Sequence, residues 1–335
     1  MINKKFILFQ CCIPIKGINN GVIVDFQRKS IYKVSNQVID ILNEYKNKKL
    51  LNLFFDFRLN KDILKKYIRF FLNNELIIIT ENINNFPAIE PIYNKPYQLE
   101  IVTIEILELS SYSDSFFEKT LDKLGVKCLR LIIRKNIISN IEQILKYLNY
   151  SKVQSITLFL EYEKGLESII KKIKRQNPRL ASIIFYNFKT KVKIIKNDLI
   201  YFDPLPLEKV LYKGIQGSND FSLNLNIYIE SLSHNVGFNK TLFIDSFGNI
   251  KKHILDEENY GNISNEFDIE DALKNESIIS FWNITKDKIQ TCKDCEFRHI
   301  CTDNRIPFKK NEDKYYSHSE SCNYNPYINK WLEKS

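Results

Sequence analysis

The stretch IVTIEILE at residues 101–108 is the first of four apolar runs that decide the fold of this chain. The runs KCLRLII at 127–133 and VQSITLFL at 153–160 follow at intervals of 26 residues, and ASIIFY at 181–186 comes next. Helical patterns occupy the intervening segments, at 114–124, 140–148 and 166–174. Strands that alternate with helices at this spacing predict right-handed crossovers and a parallel sheet, and four or five such units predict an open or partial β/α barrel.

An α+β module is expected before this region and a cysteine-rich module after it. Residues 1–95 contain two strand-like runs around a turn at 17–21, followed by three helical patterns and a short strand at 76–80. Strands combined with three helices indicate a winged-helix-like domain. We therefore expect an α/β protein in three parts, with an α+β domain at 1–95, a partial β/α barrel at 96–230 that includes a strand at 223–230, and a third domain at 231–335.

The composition is that of an ordinary globular protein. Hydrophobic residues make up 44% and charged residues 27%, and no apolar run reaches the length of about 18 residues that a membrane helix needs. The net charge of +9 is scattered rather than concentrated, so nucleic-acid binding is not favoured. Nine glycines form no phosphate-binding loop, and the apolar run at 6–9 is too short for a signal peptide. We expect a cytoplasmic protein with neither nucleic acid nor membrane as a partner.

Four of the seven cysteines form the most specific motif in the chain, C-x2-C-x5-C-x20-C. They are Cys292, Cys295, Cys301 and Cys322. Two cysteines separated by two residues can chelate one metal, and the nearby Lys293 and Arg298 favour thiolates. Four thiolates suit either zinc or an iron–sulfur cluster. Because zinc ribbons have two C-x2-C pairs and this motif has one, we favour a 4Fe-4S cluster and keep zinc as the alternative.

Other candidate ligands carry weaker signals. Cys11 and Cys12 are adjacent, and in a strand their side chains would point to opposite faces, so we do not expect them to share a metal. Cys128 lies within a predicted strand and is expected in the core. His234 and His253 flank a predicted β-hairpin at 241–250, and either alone is more typical of a surface or hydrogen-bonded residue than of a ligand.

The spacing of residues 234–322 resembles the SPASM domain, the auxiliary cluster module of peptide-modifying radical SAM enzymes. In that pattern, two cysteines around a glycine precede C-x2-C-x5-C-x3-C and a last cysteine. Here His234 and His253 stand around the glycine and Arg305 stands at the x3 position. The resemblance implies one auxiliary cluster on the four cysteines and, because Arg cannot ligate iron, no second standard cluster. His234 and His253 remain candidates for an additional metal.

A second departure concerns the catalytic motif of the same enzymes. Radical SAM enzymes carry C-x3-C-x2-C after the first barrel strand, and this chain contains no such motif; the expected loop at 109–114 has no cysteine. The resemblance therefore implies a degenerate radical SAM-like barrel, in which neither S-adenosylmethionine binding nor its reductive cleavage is expected.

The N-terminal module resembles a RiPP recognition element, the module that binds leader peptides. Taken whole, the chain is similar to the SPASM-domain peptide maturases of the grasp-with-spasm system, most clearly in FQCCIPIKG at 9–17 and CKDCEFRHICTDNRIP at 292–307. This resemblance implies two partners. They are a ribosomal precursor peptide and an ATP-grasp ligase that cross-links it through side-chain ester or amide bonds.

Leader binding is expected to use β-augmentation, in which a peptide adds a strand to a sheet edge, here near 31–34, and packs against the helix at 60–73. The candidate contacts are Tyr32, Ile63, Tyr67 and Phe70. The alternative is that these residues simply fill the core of a small domain. Two rival functions also stay open, an iron–sulfur redox enzyme acting on a peptide and a structural zinc protein. Replacing Cys295 is expected to destabilise residues 230–335 far more than residues 1–95.

Overall fold

The structure is a computed structural model that describes residues 3–109, 112, 114–265, 268–310 and 313–332. Its contacts divide the chain into two compact units. Unit 1 consists of Met1–Tyr93, Gly214–Val236 and Ile284–Ser335, and unit 2 consists of Asn94–Lys213 and Gly237–Asn283.

Unit 1 begins with five strands and three helices. They are β1 (Lys5–Leu8), β2 (Cys12–Lys16), β3 (Asn20–Asp25), β4 (Ser30–Ser35), α1 (Asn36–Glu44), α2 (Leu50–Asp56), α3 (Lys61–Asn73) and β5 (Ile77–Thr80). Strands β2, β3 and β4 form an antiparallel sheet in that order, and β1 pairs antiparallel with β5. The Ser35 hydroxyl caps α1 by accepting a hydrogen bond from the Val38 amide at 3.4 Å. The predicted hairpin and the three predicted helices are therefore present.

The three-stranded sheet of unit 1 is covered on both faces. Along β3, Ile23 lies in one apolar cluster with residues of α1, α2 and α3, whereas Val22 and Val24 lie in a second cluster with Phe297 and Ile300. Successive side chains of a strand point to opposite faces. The helices therefore cover one face of the sheet, and the C-terminal cysteine region covers the other.

Unit 2 contains an eight-stranded, mostly parallel sheet. Its strands are β6 (Ile101–Ile106), β7 (Cys128–Ile133), β8 (Ser155–Glu161), β9 (Leu180–Tyr186), β10 (Lys193–Ile195), β11 (Ile200–Phe202), β12 (Thr241–Ile244) and β13 (Ile250–Lys251). The order is β10-β11-β9-β8-β7-β6-β12-β13, in which the six central strands are parallel and each edge strand is antiparallel. The predicted parallel sheet is therefore confirmed, with its first four strands within two residues of their expected starts.

Short helices complete both units. They are α4 (Leu121–Leu124), α5 (Ile137–Tyr147), α6 (Leu166–Gln176), α7 (Leu207–Leu211), α8 (Leu225–Ser231), α9 (Asp268–Ala272) and α10 (Glu276–Trp282), and two short strands, β14 (Tyr324–Asn325) and β15 (Lys330–Trp331), follow in unit 1. A π-helical turn at Phe116–Thr120 precedes α4, and Gly125, with φ of 77°, ends it. In the part of the chain that the structure describes, no helix has the length and apolar character needed to cross a membrane.

The structure differs from the sequence predictions between residues 214 and 283. The strand predicted at 223–230 is wrong, because the Asn224 side chain accepts a hydrogen bond from the Asn226 amide at 2.9 Å and caps α8. The predicted hairpin is present as β12 and β13, but β12 also pairs in parallel with β6. This pairing draws residues 237–283 into unit 2, so the contacts divide the chain differently from the three predicted segments.

Candidate metal centre

The four predicted ligand cysteines lie together in unit 1. Cys292, Cys295, Cys301 and Cys322 all line one cavity, which is also lined by Lys286, Asp303 and Tyr324. All seven cysteines of the chain are described, and none of them forms a disulfide. The sequence separates the last two cysteines of the motif by twenty residues, and the fold returns both to the same cavity.

Backbone geometry around the cysteines suits thiolate ligands. A 3₁₀ turn at Cys292–Asp294 carries the first cysteine, and the Phe297 and Tyr324 amides each donate to a cysteine sulfur two residues earlier at 3.4 Å. Such N–H groups stabilise negative charge on sulfur. Thr291, just before the turn, has φ of 67°, a conformation that a β-branched residue adopts only under constraint.

The distances between the four cysteine sulfurs bear on which metal they could hold. Among the described residues, no three of the four cysteine sulfurs form a group whose members all lie within 4.8 Å of one another. A tetrahedral zinc site, with Zn–S bonds of about 2.3 Å, needs sulfurs about 3.8 Å apart. A cubane cluster binds each thiolate through a different iron and so spaces them more widely.

Burial dominates the electrostatics of these cysteines. Desolvation raises the pKa of Cys292 to about 12 and that of Cys301 to about 11, although the Lys286 ammonium partly opposes both shifts. Desolvation also holds the pKa of Cys295 well above its ordinary value. A metal must displace these protons, so binding will release protons and become weaker in acid.

The cations that act on the sulfurs differ from those predicted. Lys293 pairs with Asp294 at 2.8 Å, and the Arg298 guanidinium donates to Asp287 at 2.7 Å. Lys286 opposes the pKa shifts of both Cys292 and Cys301, and Arg305 also opposes that of Cys292. Lys286 is buried, and its ammonium donates to the Asp303 carbonyl at 2.9 Å. Lys293 and Arg298, which sequence proximity predicts for this role, are each paired with a carboxylate, and Arg298 lines the same cavity as the four cysteines.

Arg305, at the position where the SPASM pattern has a cysteine, forms a buried ion pair. Its Nε donates to Asp303 at 2.9 and 3.1 Å, Nη2 donates to the same carboxylate at 2.5 Å, and Nη1 donates to the Glu320 carbonyl. Burial alone would raise the pKa of Asp303, but the hydrogen bonds from Arg305 outweigh it and hold that pKa well below its ordinary range. The pair ties the residues after Cys301 to those before Cys322.

His318 is a candidate that the sequence analysis missed. A ring nitrogen of His318, the Cys292 sulfur and a carboxylate oxygen of Asp303 all lie within 4.8 Å of one another. Burial lowers the pKa of this histidine to about 4, so it is neutral at neutral pH. Its position four residues before Cys322 is the one sequence signal that could have identified it. A cavity of about 330 Å³ lies beside it and is also lined by Cys292 and Cys322.

The two other candidate histidines lie in different units. His234, in unit 1, contacts the Ser233 hydroxyl at 2.7 Å, and its ring lies 4.7 Å from the Tyr93 ring at a tilt of 43°. His253, in unit 2, packs at 5.4 Å from the Phe281 ring. In the described part of the chain, neither belongs to a group of three close ligand atoms. Metal binding by these two residues therefore remains a prediction to which the structure adds no support.

The expectation that the Cys11 and Cys12 side chains point apart is wrong. Cys11 precedes β2 in a turn closed by a hydrogen bond from the Cys12 amide to the Phe9 carbonyl at 2.9 Å, and the two sulfurs are 3.9 Å apart. The Asp25 carboxylate is close to both, but it already accepts hydrogen bonds from the Gln27 and Arg28 amides at 2.9 Å. Cys128, in β7, accepts a hydrogen bond from Ser155 at 3.1 Å, as suits a structural residue.

The predicted peptide contacts lie around a groove between β4 and α3. Its lining includes Val34, Ile63, Tyr67 and Phe70, together with Lys33 and Lys66, and its volume is about 730 Å³. Ile63 is 56% exposed, Tyr67 36% and Phe70 37%. Tyr32 does not line the groove; its ring supports Phe70 from the core side at 5.9 Å. Three of the four predicted residues thus face the groove directly.

Comparison with known proteins adds little to this picture. No protein-family model and no curated protein matches the chain. A solved structure, described as Streptococcus suis SuiB bound to S-adenosylmethionine, is similar with a TM-score of 0.34 and 12% identity, covering 89% of this chain and 94% of that chain. At that score the similarity carries no argument about fold or chemistry.

Proposed function

We propose that this protein binds the leader of a ribosomally made precursor peptide, acts in its maturation with an ATP-grasp ligase, and carries one 4Fe-4S cluster in a SPASM-like domain. The observation that carries the proposal is the groove between β4 and α3. Peptide recognition by β-augmentation needs an unpaired strand edge beside side-chain pockets, and both are features of this groove.

The strand edge is available on one side. Among the described strands, β4 pairs with β3 and with no other strand, so its outer edge offers backbone donors and acceptors. The α3 face beside it exposes apolar side chains that a monomeric domain gains nothing by exposing. Lys33 and Lys66 line the same groove and favour a peptide with acidic residues next to its apolar anchors.

Fluorescence anisotropy can test the groove. The probes are fluorescein-labelled synthetic peptides encoded by any short open reading frame found beside the gene. Ile63→Glu or Tyr67→Ala should weaken binding by about 1–2 kcal/mol, roughly 5- to 30-fold in Kd, because each removes an apolar anchor. Both residues are exposed enough for the variants to fold. Leu51→Ala is the matched control, since Leu51 is 45% exposed on α2 and does not line the groove.

Two results would contradict this part of the proposal. One is unchanged affinity in a correctly folded Ile63→Glu protein. The other concerns the backbone hydrogen bonds, which can be removed by N-methylating alternate amides of the peptide. If methylation in either register leaves the affinity unchanged, the peptide does not bind as an added strand.

Among the described residues, no three of the four sulfurs lie within 4.8 Å of one another, which suits an iron–sulfur cluster better than a single zinc ion. When bound, such a cluster braces the loops that supply its ligands and offers a site for one-electron transfer. Iron, sulfide and zinc content after anaerobic purification tests this part, with Cys295→Ala as the comparison. Iron and sulfide in the native protein that are lost in the variant would support the cluster. Zinc without sulfide would replace it by a structural zinc site.

The ligase partnership and the absence of S-adenosylmethionine chemistry rest on the sequence resemblance alone. Three residues of the loop at 109–114, namely 110, 111 and 113, lie outside the described residues. The partnership predicts that an ATP-grasp ligase from the same source co-purifies with this protein in the presence of the precursor peptide. Separate elution of the two proteins with precursor present would count against it.

The cavity of about 330 Å³ beside Cys292 and Cys322 favours a second candidate function, a redox enzyme acting on a peptide. Its volume is within the range of small-ligand sites, and it lies against two of the proposed cluster ligands. Precursor turnover that requires a reduced cluster would support this candidate. Full maturation by protein whose cluster is held oxidised would exclude it.

A further inference from the structure

We infer that His318 Nε2 binds the same metal atom as Cys292, so that the centre has one nitrogen ligand in addition to its cysteine sulfurs. The inference rests on the proposed metal centre and adds a ligand that neither the cysteine motif nor the SPASM resemblance contains.

The imidazole is oriented for such a role. Its Nδ1 lies 3.3 Å from the Ile306 carbonyl, an oxygen that only accepts, so Nδ1 carries the ring proton and donates it. Nε2 therefore holds a lone pair and no hydrogen. Histidine ligands in proteins commonly have this arrangement, in which the second nitrogen donates to a backbone carbonyl and fixes the ring.

The lone pair has no partner within the described residues. Nε2 is buried and accepts no hydrogen bond, and the His318 side chain is only 6% exposed. A buried polar atom without a partner is unfavourable, and in native proteins it calls for a specific explanation. The nearest carboxylate oxygen, on Asp303, is 3.8 Å from Nε2, and as an acceptor facing an acceptor it cannot satisfy the lone pair.

The neighbouring groups leave a metal on Cys292 as the natural partner. Asp303 and Arg305 satisfy each other through their ion pair, so the carboxylate does not compete for the metal. The Cys292 sulfur lies in the same group of atoms within 4.8 Å. A metal bonded to both would be about 2.0–2.3 Å from each donor, which this separation accommodates with small side-chain movements.

Pulsed EPR of the anaerobically purified, dithionite-reduced protein tests the inference without relying on activity. A nitrogen hyperfine coupling typical of a direct ligand should appear in native protein and change when only the histidines carry ¹⁵N. This isotope experiment needs no substitution and therefore holds even if a variant fails to fold. The coupling should vanish in His318→Leu and persist in His299→Gln, which removes another buried histidine of unit 1.

The outcomes separate this inference from the proposed function. A reduced cluster signal without a direct nitrogen coupling, or with a coupling that survives His318→Leu, overturns the inference and leaves the cluster intact. Zinc in place of iron and sulfide overturns the cluster instead. In that case Co²⁺-substituted protein takes over the test. Ligand-field bands that shift in His318→Leu would sustain the nitrogen ligand, and identical bands in the two proteins would refute it.

Discussion

Replacing Arg305 by methionine tests whether its buried ion pair with Asp303 holds the four ligand cysteines in place. The substitution keeps the apolar stem of the side chain and removes the guanidinium that binds Asp303 and the Glu320 carbonyl. The two side chains are 7% and 1% exposed, so the carboxylate loses its hydrogen-bonding partner at a buried site. The variant leaves a buried, unpaired negative charge between the third and fourth cysteines of the motif.

The expected loss in unfolding free energy is large. Removing one partner of a buried ion pair costs about 3–5 kcal/mol, because the other charge stays buried without compensation. At about 1.4 kcal/mol per tenfold, that lowers the ratio of folded to unfolded unit 1 by roughly 10² to 4 × 10³. Arg305→Lys should recover part of this loss, since it restores the charge without the paired hydrogen bonds.

The two tryptophans of the chain make unit 1 measurable by itself. Trp331 belongs to unit 1 and Trp282 to unit 2, so the fluorescence of a Trp282→Phe background reports urea unfolding of unit 1. Metal content of the same samples shows whether the centre survives. We expect Arg305→Met to lower both the unfolding midpoint and the iron bound per chain.

A double-mutant cycle decides whether the ion pair is the cause. Asp303→Asn removes the charge that Arg305→Met leaves unpaired, so the double variant should lose at least about 2 kcal/mol less than the sum of the single losses. If the single losses add within about 0.5 kcal/mol, the two residues act independently and the reasoning from the buried pair is refuted.

Four further predictions use the same preparations. Cys295→Ala should bind less iron and make both ends of unit 1 sensitive to protease while unit 2 stays resistant, and equal resistance of variant and native protein would contradict a folding role for the metal. Gly17→Ala should lower metal content without touching a ligand, because its Cβ would meet the Glu296 amide nitrogen at 2.8 Å; Gly217→Ala, with open space around its Cβ, is the control and should bind metal normally. Burial lowers the pKa of His253 from its ordinary value of 6.5 to about 4, so the unfolded chain binds this proton more readily and the free energy of unfolding should fall, by at most about 3 kcal/mol, as the pH drops from 6.5 to 4. His253→Phe should make the free energy of unfolding depend less on pH in acid-titration unfolding curves. An unchanged pH dependence would show that the pKa shift of His253 does not contribute to stability. Reduced protein incubated with S-adenosylmethionine should release no 5′-deoxyadenosine by chromatography, and its formation would overturn the degenerate-barrel interpretation.

The parallel sheet could be predicted because its signal is local. Strands buried on both faces appear as continuous apolar runs, and helices of about ten residues between them fix the crossover spacing. The face of α3 that lines the groove was readable for the same reason, since Ile63, Tyr67 and Phe70 recur at helical spacing and the repeat does not depend on distant contacts. The repeat does not indicate whether such a helix face is buried or exposed. The structure shows that this face is partly exposed.

The remaining features depend on pairing between distant segments. Strand β12 lies beside β6 although about 140 residues separate them in the chain, and nothing near residue 241 indicates that partner. His318 approaches Cys292 through contacts between distant segments, among them the hydrogen bond from the Gln290 amide to the Tyr316 carbonyl at 2.7 Å. The motif spacing predicted which cysteines come together, but it contained no information on the charges and hydrogen bonds that hold them.

The sheet formed by β2, β3 and β4 lies next to both the groove and the loops that carry the four ligand cysteines. One face of β3 packs on the helices beside the groove, and the other packs on Phe297, two residues after Cys295. The turn between β2 and β3 is also fixed to the cysteine loop, because the Ile18 amide donates to the Asp294 carbonyl at 2.8 Å. The sequence predicts that replacing Cys295 destabilises residues 230–335 far more than residues 1–95, and these contacts favour an effect on residues 1–95 as well. If the metal is needed to hold this sheet in place, a variant that loses the cluster should also lose peptide binding. This would happen although no ligand of the cluster contacts the peptide.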